Sequence, residues 1–64
     1  MPNMVDIEVR NQLGTWVRFS TVSNEEALIE AALQAALNSS RYANASQARA
    51  VRQSTKQVIA ELKR

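Results

Sequence analysis

Residues 47–62, QARAVRQSTKQVIAEL, admit two readings, and the choice between them sets the fold. As a helix, the stretch places Ala48, Val51, Thr55, Val58 and Leu62 at heptad-like spacing, with Ser46 as a cap and Arg49, Arg52 and Lys56 along another face. As strands, residues 48–53 and 57–62 flank a polar turn at Ser54-Thr55-Lys56, with β-branched Val51, Val58 and Ile59 beside it. Periodicity alone leans to the helix, because no Asn-Gly or Asp-Gly marks a tight turn. The first reading makes the chain a β-hairpin followed by two helices. The second makes it a four-stranded antiparallel ββαββ sheet with one helix packed on one face.

The upstream sequence weighs on this choice. Val5, Ile7 and Val9 alternate with Asp6, Glu8 and Arg10, the pattern of a half-buried strand. Gly14, free to take a positive φ, separates it from residues 15–22, TWVRFSTV, which are dense in aromatic and β-branched side chains, so a hairpin is expected. At Ser23 the period changes. Ser23 and Glu26 have capping-box spacing, and Glu25 and Glu26 suit the positive end of a helix dipole. Ile29, Ala32, Leu33, Ala36 and Leu37 then form one stripe flanked by Leu28, the expected core face of a helix that ends near Asn38-Ser39-Ser40. Residues 41–46 show no pattern and are read as a connection.

Two strands alone rarely make a stable sheet, whereas three or four support a helix, so this upstream arrangement favours strands for residues 47–62. The order of elements also resembles a recurrent type of small stand-alone bacterial and phage ββαββ protein. The matching residues are Trp16, then Val22-Ser23-Asn24-Glu25-Glu26-Ala27, and finally Ala48-Arg49-Ala50-Val51 with Val58-Ile59-Ala60-Glu61. They follow patterns of the kind W-x5-F-D-D-E-E-A and A-R-V-V-D…G-x-V-I-A-E over most of the chain. Near the last turn, where such proteins carry Asp and Gly, this chain has Arg52 and Lys56-Gln57. The resemblance implies a four-stranded sheet with one helix, and a small inhibitor or adaptor that binds a host protein complex.

The 64 residues make a single domain with an economical core. With no cysteine and no histidine, neither a disulfide framework nor the commonest zinc sites can supplement that core, so self-association, as a homodimer, is expected to help. The missing thiols and the lack of a long apolar run point to a cytoplasmic protein. Charge is unevenly spread: residues 1–32 hold five acids against two arginines, net −3, and residues 33–64 hold six cations against one acid, net +5.

Catalysis is not expected. There is no histidine to serve as a base, the serines lack an identifiable partner, and no Gly-rich loop is present to cradle a phosphate. Asp6 and Glu8 share one side of a strand, yet two carboxylates rarely suffice for a hard cation. No cofactor is implied. Binding is the remaining class. With one helix on the sheet, the opposite face lies open, and Trp16 with Arg18, joined by Val51 and Ile59, is the candidate surface for another protein, since Trp and Arg are common interface anchors. The alternative is nucleic acid, with Arg49, Arg52, Lys56 and Lys63, and Arg64 beyond them, on phosphates, and Trp16 or Tyr42 stacking on bases.

Overall fold

Residues 47–63 form a hairpin. The computed structural model describes residues 3–39 and 45–63, and its elements run β1 (Met4–Arg10), β2 (Trp16–Ser23), α1 (Glu26–Asn38), β3 (Gln47–Arg52) and β4 (Val58–Lys63). The strands make one antiparallel sheet in the order β2-β1-β3-β4. β3 therefore lies beside β1 rather than β2, and α1 carries the chain across the sheet from one outer strand to an inner one, a split β-α-β arrangement. No helix among the described residues is long and apolar enough to cross a membrane. Tyr42 and Arg64 lie outside the described residues.

The alternation in β1 works as the pattern demands. Val5, Ile7 and Val9 are fully buried under α1, which contributes Ile29, Leu33, Ala36 and Leu37 to the same cluster. Full burial of a side chain such as Ile7 is worth about 1.5–3 kcal/mol. β3 completes the floor with Ala48 and Ala50, which sit across from Val9 and Ile7. These positions alternate with Arg49 and Val51. The heptad-like spacing of the same residues is incidental, because burial follows the period of two.

α1 forms because residues 26–38, EALIEAALQAALN, are almost all strong helix formers. Its start differs from the capping-box expectation. Ser23 is still in the ladder, opposite Met4, and the N–H of Asn24 donates to the Asn3 carbonyl at 2.8 Å, so extended backbone persists past Ser23. The cap position falls to Glu25, which makes no side-chain cap hydrogen bond, while Glu26 supplies negative charge in the first turn.

Each outer strand departs from strict alternation at a bulge. In β2 the register shifts between Ser20, opposite Ile7, and Arg18, opposite Glu8, leaving Phe19 as the additional residue. In β4 it shifts between Ala60, opposite Ala50, and Val58, opposite Val51, leaving Ile59 as the additional residue. Because Ile7 and Ala50 are themselves partners, the bulges flank one rung from opposite edges of the sheet, that of β2 on its Glu8 side and that of β4 on its Asp6 side. Phe19 and Ile59 both pack against the core, so each edge wedges one large apolar side chain in beside α1.

Candidate functional site

The face away from α1 is built from the residues that alternate with the core. β1 gives Asp6, Glu8 and Arg10, and the pairing places Trp16, Arg18 and Thr21 of β2 beside them. On the other side lie Arg49 and Val51 of β3, then Glu61 and Val58 of β4. Read across the strands at one level, the register sets Arg18, Glu8, Arg49 and Glu61 in a row. Charge alternates along it from one edge of the sheet to the other, the favourable arrangement for cross-strand neighbours.

The centre of the row is tightly made. Arg49 Nε donates to Glu8 Oε1 at 2.7 Å, and the guanidinium carbon stands 4.0 Å from the centroid of the Trp16 ring. Trp16, on the outer strand, is thus joined to the inner strand β3 by a cation–π contact across β1. At one end of the face Arg10 Nη1 donates to Gln47 Oε1 at 3.2 Å. At the other, Asp6 Oδ1 accepts from Thr21 Oγ1 at 2.9 Å and from Gln53 Nε2 at 2.7 Å. Gln53, foremost, then Thr21 and the charges of Arg18 and Lys56, hold the Asp6 carboxyl below the usual carboxylate range, against partial burial that acts the other way.

Of the residues expected to meet a protein partner, Trp16, Arg18 and Val51 share this open face. Val51 is only 8% exposed although it lies outside the core cluster. Ile59 is elsewhere. The β4 bulge turns it to the helix side, where it lines a groove of about 550 Å³ with Ile29, Leu33 and Leu62, while Val58 takes the outward place beside Val51. Strict alternation would set Ser20 with Trp16 and Arg18; the β2 bulge brings it across from Ile7 instead.

The cations considered for nucleic acid are dispersed. Arg49 is engaged by Glu8 and Trp16 in the middle of the open face. Arg52 is the cross-strand partner of Val5, on the helix side, and its Nε is buried without a hydrogen-bond partner among the described residues. Lys56 sits in the β3–β4 turn, and Lys63 is at the far end of β4, opposite Gln47. Asp6 and Glu8 are neighbours on the open face, but each is engaged with its own partners, and no group of three or more metal-ligating side chains comes together among the described residues.

The alternating row is not legible in the sequence alone. Its signal is present as one acid or arginine per strand, but the alignment depends on the registers and on both bulges. No protein-family model, curated protein or solved structure matches this chain.

Proposed function

We propose that this protein is a non-catalytic binding module that docks onto another protein through the open face of its sheet, with Trp16 and Arg18 as the contact residues and Val51, nearly covered, on the same face. The observation that carries this reading is the position of Trp16, whose ring is held by Arg49 while Arg49 is itself held by Glu8. A large aromatic side chain fixed before binding loses little conformational freedom on contact, and Trp and Arg dominate binding energy at protein interfaces. The resemblance to small phage and bacterial ββαββ proteins supports a host protein complex as the partner, with this chain as inhibitor or adaptor.

The dispersion of Arg49, Arg52, Lys56 and Lys63 gives no continuous basic strip for a phosphate backbone, which favours protein over nucleic acid. Capture of a protein from a lysate of the source cell tests the proposal. The paired change Trp16→Ala and Arg18→Ala is expected to abolish capture with the circular dichroism spectrum retained, whereas Ile59→Ala should lower thermal stability and leave capture intact. Unchanged capture by the Trp16 and Arg18 double variant would defeat the reading, as would tight, steeply salt-dependent binding of DNA or RNA.

A further inference from the structure

Within the described sheet each outer strand has a neighbour on one side only, and the two strands differ in what the other side offers. β2 carries Arg18 and no carboxylate, and its bulge at Phe19 interrupts the edge at mid-strand. β4 carries both signs, Glu61 and Lys63, and its bulge at Ile59 lies near the start, so the ladder from Ala60 to Lys63 is regular. Beside β4 the helix layer stops short. Ile59, Ala60 and Leu62 are only half-buried, and they floor the groove next to α1.

We infer that a second copy of this chain pairs with β4 edge to edge, antiparallel about a twofold axis at Leu62, with Glu61, Leu62 and Lys63 of each copy forming the seam, to make an eight-stranded sheet with both helices on one side. Charge selects that register. Antiparallel pairing that keeps like faces together permits only shifts of two residues. With Leu62 on the axis, Glu61 of each copy faces Lys63 of the other. A shift one way sets Glu61 against Glu61, and a shift the other way sets Lys63 against Lys63, both unfavourable. A further shift, with Ala60 on the axis, brings outward-facing Val58 against inward-facing Leu62, because the bulge changes the alternation there.

The chosen register also prolongs the alternating row, since Arg18, Glu8, Arg49 and Glu61 of one copy are followed by Lys63 of the next. On the helix side, Leu62 meets Leu62 and the two grooves join over a common apolar floor. An isologous contact of this kind closes on itself and stops at two copies, whereas pairing β2 with β4 would be heterologous and build rings or open filaments. The open face remains free on both copies, so this inference stands or falls apart from the docking role proposed for Trp16 and Arg18.

Sedimentation equilibrium of the full chain is the test, with circular dichroism as a check on folding. The wild-type protein is expected to be a dimer. Lys63→Glu sets a second carboxylate against Glu61 at both ends of the seam, and should raise the dimer dissociation constant about tenfold or more. Glu61→Lys should do the same, and serves as the second single variant if the first fails to fold. The double variant Glu61→Lys with Lys63→Glu restores opposite charges across the seam and should restore the dimer. A monomeric wild type, species larger than a dimer, a dimer indifferent to the single variants, or a double variant that stays dissociated would each overturn the pairing.

Discussion

The two hairpins of this domain share one plan and fill it with different side chains. In each, the inner strand lies under α1 and the outer strand carries a bulge that presses one large residue, Phe19 or Ile59, against the core. The inner strand β1 supplies Val5, Ile7 and Val9, while β3 supplies Ala48 and Ala50 at the matching positions. β1 gives the core its volume and β3 gives it clearance. Large helix residues such as Ile29, Leu33 and Leu37 belong to the same buried cluster, and the alanines leave the space into which side chains of that size fit.

The largest effects should come from breaking this division. Ile7→Ala removes a fully buried side chain from β1 and is expected to cost about 2–5 kcal/mol. A domain of this size has roughly 3–10 kcal/mol of stability in total, so the variant should lose a large share of it and show a markedly lower midpoint in urea titrations. Ala50→Leu at the facing position adds volume where the fold supplies clearance, and overpacking should cost about 1–3 kcal/mol. A neutral Ala50→Leu would show that β3 tolerates bulk and would break the comparison.

The turns give a second contrast of smaller size. In the first hairpin Asn11 organises the loop. Its Oδ1 accepts from the N–H groups of Leu13 and Thr15, both at 3.0 Å, and Gly14 takes a φ of 82°. In the second, the N–H of Arg52 donates to the Gln57 carbonyl at 2.9 Å and that of Lys56 to the Arg52 carbonyl at 2.8 Å. Here Lys56 takes a φ of 61°, so a lysine occupies the left-handed conformation that glycine fills in the other loop. Gly14→Ala should therefore destabilise by about 1–2 kcal/mol, through the backbone alone, because a Cβ there would meet only the end of Arg10 at an ordinary 3.5 Å. Lys56→Gly should stabilise by about 0.5–1 kcal/mol, since the strain relieved exceeds the added chain freedom. Thermal melts of both variants check the pair, and equal signs would show that the loops are not equivalent.

This contrast also explains what was legible beforehand. β1 was readable because its apolar positions are large and its polar ones charged, and α1 because its leucines and alanines hold a single stripe. β3 and β4 were ambiguous for the reason that makes them work. Alanine is the small residue the core needs under α1, and it is also the strongest helix former. Lys56 hid the turn, because a non-glycine residue at positive φ leaves no compositional mark. The open face is legible in part. Trp16, Arg18 and Val51 follow from alternation, but Ile59 was displaced to the other side by a bulge that no residue type announces. The Arg18–Glu8–Arg49–Glu61 row needed three registers at once.

The smallest effect concerns the link between the hairpins. Asp6 accepts from Thr21 of the first hairpin and from Gln53 at the start of the second hairpin's turn, and these bonds, Gln53's foremost, lower its pKa in the folded state. A carboxyl with a lower pKa when folded than when unfolded stabilises the protein above its unfolded value, about 4, and this contribution is lost as pH falls through the folded value. Melting temperature should therefore decline on acidification through that range, and Asp6→Asn should flatten the decline while lowering stability at neutral pH. Gln53→Ala should reproduce more of that flattening than Thr21→Val, because the Gln53 amide is the larger cause of the shift. Should Thr21→Val prove the stronger, the carboxylate would serve the first hairpin alone, and the joint between the halves would rest on the ladder between β1 and β3 and on the Arg49 bridge to Glu8.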